Sequence, residues 1–195
     1  MKKDIILAGV GGQGILTIAT VIGYAALDAG LNLKQAEVHG MSQRGGDVQS
    51  HMRISDKPIY SDLIPFGGAD IILSVEPMES LRYLPYLAKD GWLITNTTPF
   101  NNIAKYPEMD DVLNAIAKVP HQIMLNADEI AKNLNAARSM NIVMLGAASF
   151  YLDISAEKLE EGIKSVFEEK GEKIVESNIA AFRAGREYAA KAVSN

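Results

Sequence analysis

The chain has 195 residues, 48% of them hydrophobic, a formal net charge of -5 at neutral pH and no cysteine. Its length and apolar content suit a single α/β domain burying roughly 70% of its unfolded surface, and the acidic balance without a basic patch argues against general binding of nucleic acid or an anionic membrane. The missing cysteines exclude disulfides, a cysteine nucleophile, thiolate zinc sites and any cysteine-ligated iron–sulfur cluster carried by this chain alone.

Met1-Lys2-Lys3 is followed by a core strand rather than a leader-like segment, and no run approaches the roughly 20 apolar residues of a membrane span, so a cytoplasmic location is expected. Asp4–Ala8 reads as a short buried strand running into Gly9-Val10-Gly11-Gly12-Gln13-Gly14, which fits GxGxxG at Gly9, Gly11 and Gly14. From Ile15 to Ala29 an apolar segment with no proline predicts a helix buried against a sheet. A strand, a glycine turn and a helix N-terminus in that order make a site for a phosphate-like group, through free backbone N–H groups and the helix dipole. The candidate ligand contacts here are Gly9, Gly11, Gly12, Gln13, Gly14 and Ile15. The alternative is that the glycines serve only a tight turn.

Leu33–Val38 and Val48–Ile54 read as the second and third strands, joined through Glu37-Val38-His39-Gly40-Met41-Ser42-Gln43-Arg44-Gly45-Gly46. The glycines permit close backbone approaches, Arg44 offers a planar fork of donors for phosphate or carboxylate, and His39 and Gln43 add a titratable ring and an amide. That mixture favours a binding or docking loop over a core element. Ile59–Leu63 suggests a short extended piece, Ala69–Val75 a buried strand, and Glu76-Pro77 the start of a helix reaching about Ala88, with proline at an early position where its missing N–H is harmless. Trp92–Asn96 is the next strand, closed by polar residues including Thr97. Met109–Lys118 follows as helix, His121–Leu125 as strand and Ala127–Leu134 as helix.

The remainder reads as helices over 141–152, 156–169 and 172–192, with Ser155 as a cap for the second and Gly171 as its stop. Met140, Met144 and Leu145 read as core or partner-facing, and the glutamates of 157–169 as a solvated face. Alternating strands and helices predict an α/β fold, a Rossmann-like doubly wound, mostly parallel sheet with a helical C-terminal third, forming one domain over residues 1–195. Loops after parallel strands gather at one edge, where ligands bind. The Gly9–Gly14 loop, the segment 39–46, Glu76 and Asn96-Thr97 are therefore expected along one rim.

Among the three histidines, His39, His51 and His121, no pair has metalloprotease spacing, and His51 in an alternating strand reads as a sheet-face residue. No metal site is expected, and neither a GxSxG elbow nor a Walker loop is present. Glu37 follows the glycine motif at about the 20 residues where an acid holds the ribose of NAD, which keeps a nicotinamide reading open. Against it, no second domain for a hydride acceptor is apparent.

The glycine opening and the Glu37–Gly46 segment, taken together, resemble the gamma domain of the 2-oxoacid:ferredoxin oxidoreductases, and the Glu37-Val38-His39-Gly40 and Ser42-Gln43-Arg44-Gly45-Gly46 wording is most similar to the small subunits of its indolepyruvate branch. The likeness spans nearly the whole chain, with little matching wording in the C-terminal third. It implies a subunit with no catalytic residue of its own in a complex that oxidatively decarboxylates a 2-oxoacid to acyl-CoA and carbon dioxide, passing electrons to ferredoxin. Thiamine diphosphate and [4Fe–4S] clusters would sit in a large alpha subunit with ferredoxin-like domains. The faint thiamine-diphosphate echo here, Lys89-Asp90-Gly91 with Asn101-Asn102, lacks its leading glycine and is too compact.

The resemblance further implies that the backbone of Gly11–Ile15, with Arg44, Asn96 and Thr97, holds coenzyme A as a shared ligand, and that His39, Gly40, Met41, Ser42, Gln43, Gly45, Gly46 and Glu76 form the rim facing the partner. Pyruvate, 2-oxoglutarate and branched 2-oxoacids remain alternatives to indolepyruvate, and a purely structural role for both loops remains an alternative to ligand binding.

Overall fold

The computed structural model describes residues 1–40, 45–101, 103 and 105–193. Among these, the centre is a six-stranded sheet in the order β2-β3-β1-β4-β5-β6, made of β1 (Lys2–Val10), β2 (Asn32–His39), β3 (Asp47–Ser55), β4 (Ala69–Ser74), β5 (Leu87–Asn96) and β6 (Gln122–Leu125). The helices are α1 (Ile15–Asp28), α2 (Pro77–Arg82), α3 (Met109–Ile116), α4 (Ala127–Asn133), α5 (Met140–Ala148), α6 (Ala156–Phe167) and α7 (Glu172–Val193). The pairs β1–β4, β4–β5 and β5–β6 are parallel, and β3 is antiparallel to both β1 and β2. The expected mostly parallel, doubly wound sheet is therefore present with one reversed strand. Connection length causes the reversal: residues 40–46 alone join β2 to β3, and a parallel return needs a dozen or more.

Alternation along β1 divides the core. Ile5 and Leu7 pack with α1, α5, α6 and α7 on one face, while Ile6 and Ala8 pack with Ile64, Tyr83, Val112 and Ile116 on the other. Asp4–Val10 is buried without interruption, as a central strand covered on both faces must be. In α5 every residue from Asn141 to Ala148 is buried, so that helix lies inside the helical layer. Met144 and Leu145 accordingly belong to the core. Ser155 accepts a hydrogen bond from the Lys158 N–H as the cap of α6, and Gly171 ends the following 3-10 turn at φ 95°.

Two expectations need correction. The helix begun at Glu76-Pro77 stops at Arg82, a 3-10 turn follows over Leu84–Tyr86, and Ala88 already lies in β5. Pro85 is the reason, because it lacks an N–H and its ring would strike the carbonyl one turn back. Ile59–Leu63 forms no strand; instead the Arg53 guanidinium donates to the carbonyls of Ser61 and Leu63, at 3.1 Å each, pinning the segment beside β3. Helix α1 is buried against the sheet as expected, with Leu16, Tyr24 and Leu27 on its exposed side.

Candidate functional site

The C-terminal ends of β1, β2, β4 and β5 share one rim of the sheet, which gathers the Gly9–Gly14 loop, the β2–β3 connection, Glu76 and Asn96-Thr97 on the same side, as the topology predicted. The loop after β1 is largely self-organised. Gln13 accepts a hydrogen bond from the Val10 N–H through its side-chain oxygen (2.8 Å), donates its backbone N–H to the Val10 carbonyl (3.1 Å), and reaches the Val75 carbonyl with its amide (3.4 Å). Its side chain thus shapes the loop from within.

The glycines divide by role. A Cβ on Gly9 would stand 2.4 Å from the Val75 side chain, and one on Gly14, at φ 81°, 2.5 Å from the Asn141 amide, which donates to the Gly14 carbonyl at 3.0 Å. These two positions are fixed by packing. Gly12, at φ 100°, has nothing within 4 Å of where its Cβ would be. Beyond it α1 opens with Gly14 in the left-handed region, no side-chain cap and no acidic residue in its first turn. The N–H of Ile18 returns to the Gly14 carbonyl (3.3 Å), and those of Ile15, Leu16 and Thr17 find no acceptor among the described residues. An uncapped helix start with free amides is a concentrated positive potential.

The β2–β3 connection is tied to that loop. Gly11 donates to the Gly46 carbonyl (2.8 Å) and Gly45 to the Gly11 carbonyl (3.4 Å), while Gly40 closes back on Asp47 (3.0 Å). Met41, Ser42, Gln43 and Arg44 lie outside the described residues, as does Asn102. Between the loop and β2 opens a cleft of about 480 Å³ whose walls include Gly11, Gly12, Ile15, Leu16, Glu37 and His39.

Asn96 and Glu76 stand at this rim but are turned inward. The Asn96 amide donates to the Val75 carbonyl (3.3 Å) and to Asp128 (2.8 Å) and accepts from the Ala127 N–H (3.1 Å), so its polar atoms are engaged in joining β5 to α4. Thr97 continues that join through its N–H to the Leu125 carbonyl (2.9 Å). Glu76 caps α2 by accepting from the Glu79 N–H (2.8 Å) and also accepts from the Tyr106 hydroxyl (2.5 Å) and the Phe100 N–H (3.3 Å). Burial, then the bond to the Glu76 carboxylate, raises the Tyr106 hydroxyl above its ordinary pKa. Burial also raises Glu79, against the opposing pull of its ion pair with Arg82. This corner is a structural polar cluster beside a small cavity of about 210 Å³.

Sequence reasoning missed the opposite flank of α1. There a cleft of about 720 Å³ is bordered by Gly12, Gly14 and Thr17 on one side and by Arg138, Lys170 and Asn178 on the other. Lys170 lies 5.1 Å from the centre of the Phe167 ring. No local pattern marks Arg138 or Lys170, which come to line the same cleft as Gly12 only through the packing of α5 and α6 against α1. Among the described residues no group of acidic, histidine or cysteine side chains is placed to hold a metal ion, and no helix is long and apolar enough to cross a membrane.

A family model described as pyruvate ferredoxin/flavodoxin oxidoreductase matches residues 4–188. The chain is 40% identical to the indolepyruvate oxidoreductase subunit IorB of Archaeoglobus fulgidus, over 95% of this chain and 94% of that protein. It is 31% identical to the 2-oxoglutarate synthase subunit KorC of Methanothermobacter marburgensis, over 96% of each. Among solved structures, the keto/oxoacid ferredoxin oxidoreductase gamma subunit of Geobacter sulfurreducens has the same fold, with a TM-score of 0.71 at 24% identity over 97% of this chain and 99% of that one. A 2-oxoglutarate:ferredoxin oxidoreductase from Magnetococcus marinus, solved with 2-oxoglutarate, coenzyme A and succinyl-CoA bound, matches with a TM-score of 0.78 at 22% identity. That match covers 97% of this chain, which spans about a third (31%) of that polypeptide.

Proposed function

Because the chain belongs to the pyruvate ferredoxin/flavodoxin oxidoreductase family, we propose that it is the small, gamma-type subunit of an indolepyruvate:ferredoxin oxidoreductase, a single domain over residues 1–195 that works in the cytoplasm. The higher identity to the indolepyruvate subunit, 40% against 31% for the 2-oxoglutarate one, supports an arylpyruvate substrate. The partner is a large subunit in which thiamine diphosphate supplies the carbanion chemistry of decarboxylation and [4Fe–4S] clusters carry electrons to ferredoxin. A chain with no cysteine provides none of the cluster thiolates.

The contribution of this subunit is to complete the coenzyme A side of the shared site. The observation that carries this reading is the unshielded start of α1, where free amides and the open Gly12 stand at the border of a cleft. Such a start binds and orients a phosphate. Arg44 adds a bidentate donor from the adjoining loop, strengthened when the partner excludes water.

Hydrogen exchange on the assembled enzyme tests the assignment. Coenzyme A is expected to slow exchange of the Gly11–Thr17 amides, and calorimetry is expected to give weaker coenzyme A binding for Arg44→Ala. Unchanged exchange together with unchanged affinity removes the role. A second reading, that both loops serve assembly only, draws support from exposed Leu16 and Val38 beside the cleft. It predicts weaker subunit association for Arg44→Ala and unaltered kinetics in the complex that forms.

A further inference from the structure

Between β3 and β4 the chain forms no regular element, yet contacts from three residues fix its course. The Arg53 guanidinium, itself held by Asp4, donates to the Ser61 and Leu63 carbonyls. His51 Nδ1 accepts the Ile64 N–H (2.9 Å), and the Pro85 carbonyl accepts the Gly67 N–H (3.0 Å). Gly68 closes a turn on the Pro65 carbonyl (3.0 Å) with Gly67 at φ 69°, which sets Phe66 at a central position of that turn.

This anchored backbone turns Ile64 inward, at 2% exposure, and leaves Tyr60, Leu63 and Phe66 outside at 93%, 58% and 73%. The Phe66 ring rests on Tyr86, 4.6 Å between centres, and Tyr86 meets His51 edge-on at 5.2 Å. One exposed apolar side chain is ordinary, but three within seven residues on a backbone pinned from beneath make a preorganised apolar surface. Beside them lies a cavity of about 290 Å³ whose walls include Pro58, Ile59 and Tyr60, with room for a side chain of another molecule.

Charge narrows what covers this surface. Asp62 is exposed within it and makes no ion pair among the described residues, and Lys57 is the sole cation from Asp56 to Gly68. A twofold contact with a second copy would set like patches together, bringing Asp62 and a net charge of -5 against their duplicates. An apolar protein surface with a cation inside it answers both the exposed side chains and the carboxylate.

We infer that the segment from Tyr60 to Phe66 is a docking surface for the large partner subunit, which meets it with apolar side chains and an arginine or lysine opposite Asp62. The inference rests on the subunit reading above and not on its coenzyme A part, because the segment leaves β3 beside Lys2, at the end of β1 remote from the glycine loop.

The test measures binding of the purified chain to the large subunit, with hydroxyl-radical footprinting of the free chain and of the assembled enzyme. Tyr60→Ser combined with Leu63→Ser is expected to weaken association about 30-fold or more, the scale of a hot spot, with the melting temperature of the free chain unchanged. Asp62→Lys should slow association several-fold, and Asp62→Asn should flatten its dependence on salt. Leu27→Ser, on the exposed side of α1, is the control and should bind like the unaltered chain. Oxidation of Tyr60 and Phe66 should fall on assembly.

Unchanged affinity in the double variant, an equal loss in Leu27→Ser, or undiminished oxidation of Tyr60 and Phe66 in the complex would each overturn the proposal. So would a shift of the free chain from dimer to monomer in the double variant with large-subunit binding intact, which assigns the surface to a second copy. If the unaltered chain does not associate with the large subunit, the subunit reading falls and this inference with it. If it associates and the variants do so equally, this inference alone is lost.

Discussion

Gly146 on α5 and Gly185 on α7 form a reciprocal crossing: a Cβ on the first would lie 2.0 Å from the Phe182 carbonyl oxygen, and one on the second 1.9 Å from the Val143 carbonyl oxygen. Each glycine accepts the backbone of the facing helix three residues before its counterpart. No rotamer relieves a clash with backbone, so either Gly146→Ala or Gly185→Ala must push the helices apart. Each is expected to cost about 3 kcal/mol, at the upper end of overpacking effects, read as a lower urea midpoint with unchanged slope.

Asp4 and Arg53 make a buried pair across β1 and β3, with contacts of 2.8 and 3.0 Å. Lys2 adds a more exposed cation at 2.8 Å from Asp4. Arg53→Met leaves a buried carboxylate with that single partner and should destabilise the chain by about 3 kcal/mol. Asp4→Leu combined with Arg53→Met removes both charges and should recover more than half of the loss in chemical denaturation.

His51 predicts an acid-sensitive step. Its Nδ1 accepts the Ile64 N–H at 2.9 Å, and burial first, then the charge of Arg53, holds its pKa below the ordinary 6.5, with Asp62 pulling weakly the other way. A protonated ring would set one N–H against another. In the unfolded chain the ring takes up its proton as the pH falls through about 6.5 while the folded ring still resists, so stability is full above that pH and declines toward the lower folded value. The slope of melting temperature against pH below 6.5 should flatten in His51→Gln.

Asn141 links the helical layer to the ligand loop through its 3.0 Å bond to the Gly14 carbonyl. Asn141→Ala leaves that carbonyl with the Ile18 N–H alone, at 3.3 Å, and the left-handed turn without its side-chain support. A loss of about 1–2 kcal/mol is expected, and under the proposed function the KM for coenzyme A rises with it, since the start of α1 is no longer held. Thermal denaturation and steady-state kinetics on the assembled enzyme check the two halves separately.

Local features were legible wherever the signal lay within a few residues. The uninterrupted apolar run after Asp4, the glycine turn, the Ser155 cap and the Gly171 stop each depend on neighbouring chain alone, and each lies where the sequence put it. The boundary of α2 is equally local, because Pro85 ends the helical run. Topology puts Asn96 and Glu76 at the rim, yet apart from the local cap that Glu76 makes with Glu79 their partners sit 21 to 32 residues away, a distance over which pattern carries no information about which way a side chain turns.

The amino-acid sequence by itself determined the class of sheet, the glycine junction between β1 and α1, and the inability of this chain to ligate an iron–sulfur cluster through cysteine, because those follow from periodicity, turn chemistry and composition. Tertiary structure decided the reversal of β3, the inward engagement of Asn96 and Glu76, and the meeting of Arg138, Lys170 and Gly12 around one cleft. These depend on which surfaces meet across the sheet, and the free energy of such meetings belongs to pairs of distant residues rather than to any stretch of chain.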